Sequence, residues 1–348
     1  MLVSLDLCFI PASLYDEVIK AAKLPSDIHI LISATHTHSG SDPLCMHSGN
    51  YLVHKGWSSF DSELLKFTAD QTALAIRRSL DALIPVTLKF VQFAPQTTNP
   101  LVKNRRGEKT IDPEVTVMQL IRKAGVVATL INFAAHPVIY GDKNLQFSAD
   151  WPGVMCEDIE KKYGGTALFF NGAEGDATPI ESKGTEEEKV REFGHRASAL
   201  IIDHLKSMNQ MSTVKLEAVS KQITLPPRKV SGLFLAAAFQ LGLTLEDAKK
   251  LLNSMMPEKT RISFVTIGTI TIVGLPCEPT ADIGLAIKSL IRKAGYQYPM
   301  IFALTNDWLA YAVTKEQSKK GGYEAGMSFY GDALGDSFIK AVATKFKR

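Results

Sequence analysis

Two histidines in Ala34-Thr35-His36-Thr37-His38-Ser39-Gly40 are the residues of this chain whose type and spacing point most directly to chemistry. Neutral imidazole is the commonest metal ligand, and its proton affinity lies close to neutral pH, so the pair suits metal binding or proton transfer. The pair follows the apolar run Ile28-His29-Ile30-Leu31-Ile32 and stops at Ser39-Gly40-Ser41, a turn signal. At a strand end, residues two apart project to the same side, so both rings are expected to face one cleft. Four further polar islands lie downstream. Asn132-Phe133-Ala134-Ala135-His136-Pro137 closes a strand at a proline break. Gly274-Leu275-Pro276-Cys277-Glu278-Pro279 closes another, and its carboxylate is held between two prolines. Tyr311 and Tyr323 form a fourth island, and Phe169-Phe170-Asn171-Gly172-Ala173-Glu174-Gly175-Asp176-Ala177-Thr178-Pro179 a fifth, a glycine-rich turn where a ligand can approach the backbone closely.

Each island taken singly also has a purely structural reading. His136 could cap its strand, and Glu278 could sit near the N-terminus of a helix starting by Thr280, where the helix dipole favours a carboxylate. Tyr311 and Tyr323 could be partly buried aromatics, and Asn171 and Asp176 are ordinary turn residues. Their joint occurrence, each where a strand gives out, favours a shared site.

The elements that must position these islands alternate along the chain. Strand patterns fall near 2–10, 28–34, 86–93, 115–122, 126–134, 166–170, 214–224, 262–267, 269–274 and 299–304. Helical periodicity falls at 12–22, 61–82, 152–162, 185–207, 245–254, 280–293 and 334–346. Hairpins are expected around Gly268 and across Lys123-Ala124-Gly125. The expected class is α/β, with mixed β-sheets and flanking helices. Residues 1–348 are expected to form one domain, with 225–260, led by Pro226-Pro227, as an insertion or lid.

The composition narrows the function classes. With 348 residues, 45% apolar and 22% charged, the chain reads as globular, and its net charge of +3 gives no reason to expect nucleic acid. No apolar run approaches the roughly 18 residues of a membrane span. Cys8, Cys45, Cys156 and Cys277 are scattered without a CxxC pair, the pattern of reduced thiols, and Met1 opens directly into a strand pattern with no cleavable signal. The expected location of the chain as given is cytoplasmic, or secreted or periplasmic if the natural N-terminus lies further upstream. Oligomeric state is not legible.

The order Thr35–Gly40 (THTHSG), Asn132–Pro137 (NFAAHP), Ser148–Gly153 (SADWPG), Phe169–Pro179 (FFNGAEGDATP), Pro276–Pro279 (PCEP) and then two tyrosines resembles the neutral/alkaline ceramidase family, over nearly the whole chain. The resemblance implies a ceramidase catalytic-domain-like fold and a zinc-dependent amide hydrolase. By position it implies His36, His136, Glu278 and Tyr311 as Zn2+ ligands, a mixed nitrogen and oxygen set that zinc accepts. It implies His38 as the proton-handling residue, with Arg105 and Tyr323 also in the active site. The expected reaction is attack of a metal-activated hydroxide on a linear amide, of a small molecule or of an N-acylated lipid such as ceramide. A soluble amide or ester substrate, or a non-catalytic metal- or ligand-binding role, are the alternatives. His29, His47, His54, His195 and His204 lack such support and are expected to be structural or on the surface.

Three departures from the family pattern bear on these expectations. Thr178, expected among the catalytic-site residues, stands where the family has serine, keeping a hydroxyl that could position substrate on a bulkier and stiffer side chain. Cys277 stands where family members often have glycine, placing a soft thiol beside the expected ligand Glu278. The family's first strand with a glycine-containing substrate loop is expected to be missing before Met1, and its C-terminal β-domain to be absent after the last helix.

Overall fold

Two mixed β-sheets pack face to face. The computed structural model of the chain describes all residues except 26, 57, 96–99, 142, 212–213 and 348. One sheet runs, in spatial order, Thr166–Asn171, Gly125–Phe133, Val115–Arg122, Thr87–Phe93 and Asn209–Gln210; the other runs Leu216–Thr224, Lys259–Ile267, Ile270–Gly274 and Tyr298–Phe302. The period-two alternation of these strands decides which side chains enter which layer. Phe90, Met118, Leu130 and Phe170 of the first sheet meet Val265, Ile272, Met300 and Phe302 of the second, with the Phe170 and Phe302 rings stacked 4.2 Å apart. Asn132 spans both sheets, its amide donating to the carbonyls of Phe170 (2.9 Å) and Ile301 (2.8 Å).

The outward residues of the same strands bury helices. Val117, Ile131 and Phe169 pack with Trp151 and Met155 of helix Asp150–Tyr163 and with Phe193 of helix Glu186–His204. Ile262, Phe264 and Ile301 pack with Ile287 of helix Ala281–Lys293 and Phe338 of helix Ala333–Lys345. A third pair of strands, Leu2–Leu5 and Leu31–Ala34, runs parallel and is backed by helices Ala12–Ala22 and Ser62–Asp81. The expected strands and helices are found with ends shifted by a few residues; the largest shift is at 2–10, where the strand stops at Leu5. Both expected hairpins form: Ile267 pairs with Ile270 around Gly268 (φ 60°), and Arg122 pairs with Gly125. Residues 225–258 bridge the paired Thr224 and Lys259 and carry helices Gly232–Gln240 and Leu245–Met255, which pack beside Phe329 and Tyr330. Among the described residues, no helix is long and apolar enough to cross a membrane.

The carboxyl ends of several strands are tied together. The amide of Ala303 donates to Asn171, that of Ala34 to Leu304, that of Gly172 to Phe133 and that of Leu275 to Phe302. The segments that carry His36, His136, Glu174 and Glu278 each follow a strand at this edge, where ligand sites of α/β proteins are commonly built.

Candidate metal centre

His36 sits two residues past the end of strand Leu31–Ala34, with φ at 76°. A left-handed histidine costs about 1–2 kcal/mol, so the surroundings must impose it. They do so through two bonds: the His36 amide donates to the carbonyl of Leu7 (3.0 Å), and its Nδ1 meets the carbonyl of Cys8 at 2.6 Å. Because a carbonyl only accepts, Nδ1 carries a proton, which leaves Nε2 as the atom a metal ion could take. Strand alternation therefore does not aim His36 and His38, since the strand has already ended. The turn at His36 brings the rings edge to face at 4.8 Å, with 3.5 Å between their Nε2 atoms. His36 is buried, whereas His38 is exposed at the mouth of the cleft.

His136 follows strand Gly125–Phe133 and is fixed in the same manner. Its Nδ1 meets the carbonyl of Ala177 at 3.0 Å, and its own carbonyl accepts from Trp151 Nε1 at 3.1 Å. Its Nε2 lies 3.5 Å from Glu278 Oε2 and 3.4 Å from the Tyr311 hydroxyl. The two oxygen residues, 33 positions apart in number, are brought side by side by a two-residue parallel pairing in which Glu278 is opposite Tyr311. The glycine-rich turn runs against this pairing: the Gly175 amide donates to Pro279 (2.9 Å), and any Cβ on Gly175 would stand 2.7 Å from the Glu278 carbonyl oxygen.

Glu278 is the anion at the middle of the group. Its Oε1 accepts from Trp308 Nε1 (3.1 Å), and Trp308 stacks on Phe9 at 4.2 Å. Its Oε2 is buried and lacks a well-aligned donor, although His36 Nε2 stands at 3.3 Å. Burial alone would raise the pKa of Glu278, but the His36 and His136 imidazoles outweigh it and hold the carboxyl well below its usual range. The neighbouring Glu174 is buried with neither carboxyl oxygen bonded among the described residues, and burial pushes its pKa well up. For Tyr311, burial and then Glu278 push the phenol well up. One ligand atom from each of His36, His136 and Glu278 lies within 4.8 Å of the other two, and all three residues are buried. Two imidazole lone pairs and a carboxylate oxygen without a donor fit a divalent cation of the zinc type, with the Tyr311 hydroxyl beside them.

Around this group, Tyr323 begins the short helix Tyr323–Gly326, half exposed, with its ring 5.7 Å from that of Tyr311. The Arg105 guanidinium lies 5.1 Å from the Tyr323 ring centroid and pairs through Nε with Glu324 Oε1 at 3.1 Å. Glu324 is buried and also takes Arg106 Nη1 at 2.8 Å. Crowding by surrounding protein, then His36 and His136, pushes the pKa of His38 down to about 3, so its ring is neutral. Thr178 lies in strand Ala177–Pro179, paired with Lys103. Among the described residues its hydroxyl makes no hydrogen bond to any of the four expected ligands; its neighbour Ala177 supplies the carbonyl that holds His136.

The structure thus brings His36, His38, His136, Glu278, Tyr311, Tyr323 and Arg105 to one place and leaves Thr178 at its edge. His29, His47, His54, His195 and His204 lie in neither ligand cluster found among the described residues, and His195 instead pairs with Asp158. Cys277 is also outside both: it is fully buried in the core, and its thiol is pushed well up by burial. The thiol near the histidines is that of Cys8, with Sγ 3.7 Å from His36 Nδ1.

Sequence reasoning missed the residues that hold this geometry. Asn171 donates to the carbonyls of Thr35 (3.2 Å) and Ala135 (3.0 Å) and accepts from Ala135 and Gly172, tying both histidine segments together. Trp151, in the Ser148–Gly153 motif, and Trp308, three residues before Tyr311, each bond a ligand residue; nothing in a tryptophan's position foretold its partner.

No protein-family model matches the chain, and no curated protein sequence matches it. Solved structures do. The crystal structure of neutral ceramidase from Pseudomonas aeruginosa superposes with a TM-score of 0.82 over 99% of this chain at 20% identity. A ceramidase complexed with C2 superposes with a TM-score of 0.79 over 98% of this chain at 18% identity. The chain spans 66% of the length of each. From its first strand to its last helix, the chain carries the neutral ceramidase fold.

Proposed function

We propose that the chain is a zinc-dependent hydrolase of C–N amide bonds, with residues 1–348 acting as one catalytic domain on an N-acylated amphiphile of the ceramide kind. The observation that carries this reading is the convergence of His36 Nε2, His136 Nε2 and Glu278 Oε2, with both Nδ1 atoms committed to backbone carbonyls. His36, His136, Glu278 and Tyr311 would hold the ion. When bound, Zn2+ supplies Lewis acidity, which polarises an amide carbonyl and lowers the pKa of water.

The remaining chemistry belongs to side chains. Neutral His38 is placed to accept a proton at Nε2 from the attacking water and to pass it to the leaving amine, which departs poorly as an anion. The Tyr323 hydroxyl, with Arg105 over its ring, is placed to donate to the oxyanion of the tetrahedral intermediate. Glu324 holds Arg105 in that position. An amphiphilic substrate is favoured over a soluble one by exposed Leu233, Phe239 and Leu241, on and just after a helix that packs against the short helix bearing Tyr323. The solved neighbours are ceramidases by name, which points the same way.

Turnover of a fluorogenic panel of N-acyl amides, long-chain and soluble, tests the proposal. The expected result is metal-dependent hydrolysis of the long-chain members, lost at least about a hundredfold in His38→Ala while one zinc per chain is retained. Full activity in that variant removes His38 from the chemistry, and hydrolysis of soluble amides alone reassigns the substrate.

A further inference from the structure

A second cluster beside the buried group includes one side chain, Cys8, that has no part in amide hydrolysis as proposed. Cys8, His36 and His38 also offer one ligand atom each, all within 4.8 Å of one another. The two clusters share His36 and differ in every other respect. One adds a second imidazole and a carboxylate and is buried throughout; the other adds a thiol and a solvent-facing imidazole, with Cys8 half-buried and His38 exposed. Cys8 Sγ stands 3.7 Å from His36 Nδ1, and His38 Nε2 stands 3.5 Å from His36 Nε2. Nitrogen and carboxylate oxygen suit zinc; adding a thiolate gives a set that zinc still accepts but that holds the softer Cd2+ and Cu+ more strongly than a nitrogen and oxygen set does. His36 Nδ1 is committed to the Cys8 carbonyl, so Nε2 is the one atom that either position could take, and the positions compete for it.

We propose that Cys8, His38 and His36 form a second ion position, open to the cleft, which takes a thiophilic cation in competition with the buried position. On binding, the Cys8 thiol forms a sulfur–metal bond and releases its proton to solvent, while His38 and His36 give neutral lone pairs. No electron is transferred. Only the consequence rests on the hydrolase reading: an ion at this position occupies the lone pair that His38 needs for proton transfer, so soft metals silence the enzyme through Cys8. Cys45, Cys156 and Cys277 belong to neither cluster found among the described residues.

Cd2+ titration of the full chain after dialysis free of metal tests this without any substrate, because a cadmium–thiolate bond absorbs in the ultraviolet. The expected result is a charge-transfer band that saturates at one equivalent in the wild type and is absent in Cys8→Ser. That variant should still bind one equivalent of Zn2+, which shows that it is folded and that the buried position is intact. His38→Ala should keep the band but weaken Cd2+ binding at least about tenfold, the size typical of a lost ligand-shell contact. A band that persists in Cys8→Ser, no band in the wild type, or unchanged Cd2+ affinity in His38→Ala overturns the proposal. Because the readout is optical, an inactive protein leaves this test intact, and an absent band leaves the hydrolase proposal standing.

Discussion

Trp308→Phe is the substitution that separates Glu278 as a metal ligand from Glu278 as a buried core carboxylate. Phenylalanine keeps an aromatic ring for the stack on Phe9 but removes the indole N–H that donates to Oε1 at 3.1 Å. A hydrogen bond to a charged group is worth about 1.5–3 kcal/mol. Outer partners of metal ligands typically contribute about 10–100-fold in affinity, which converts to about 1.4–2.7 kcal/mol. The two estimates agree, so zinc should bind roughly 10–100-fold more weakly to the variant. Competition with a chromophoric chelator measures the affinity. Chemical denaturation provides a second reading, because an ion that binds only the folded chain stabilises it by mass action, and the variant should gain correspondingly less from added zinc. Zinc affinity within twofold of wild type would refute the reasoning: Oε1 would then have no bearing on the ion, and Glu278 would be an anchored core residue.

Asn171→Ala should destabilise the chain by about 2–4 kcal/mol, because it strips several buried hydrogen bonds at once and leaves backbone groups of Ala135 and Thr35 unpaired; a shift in denaturation midpoint below about 0.5 kcal/mol would deny it this clamping role. Asp150 is buried, and burial raises its pKa from 3.8 to about 6 against the bonds from Trp151 and Tyr140. Between those pH values the folded state binds more proton than the unfolded one, so Asp150 makes stability fall as pH rises from about 4 to about 6, by an amount on the order of 2 kcal/mol. Asn tolerates the left-handed φ of 55° found there, so Asp150→Asn should gain on the wild type across that window; parallel stability–pH curves would contradict the shift.

Much of the scaffold was legible because its strands and helices are long enough to show their periods. Helix Ala12–Ala22, which opens after Pro11, and strand Val115–Arg122, an apolar run that ends at the Lys123-Ala124-Gly125 turn, match their expected bounds. The pairings that assemble the centre were not legible. Glu278–Pro279 and Tyr311–Ala312 are two-residue strands, too short for any period, and they exist only because the chain on either side is already packed. The thiol tells the same story. Cys277 adjoins a ligand in sequence yet lies in the core, while Cys8, distant from every island in sequence, reaches His36 because parallel pairing of Leu2–Leu5 with Leu31–Ala34 carries both onward to one edge.

The sequence by itself determined the chemical types at the centre: which residues carry imidazole, carboxylate and phenol, and that the imidazoles and the carboxylate come shortly after apolar strand runs. Local rules reach that far because periodicity and turn chemistry act over a few residues. Only the tertiary structure decided the distances, the tautomers and the outer support. The bonds that set them, His36 to Cys8, His136 to Ala177 and Glu278 to Trp308, each join residues about thirty or more positions apart. Such contacts form only once both sheets are packed, so no local pattern encodes them.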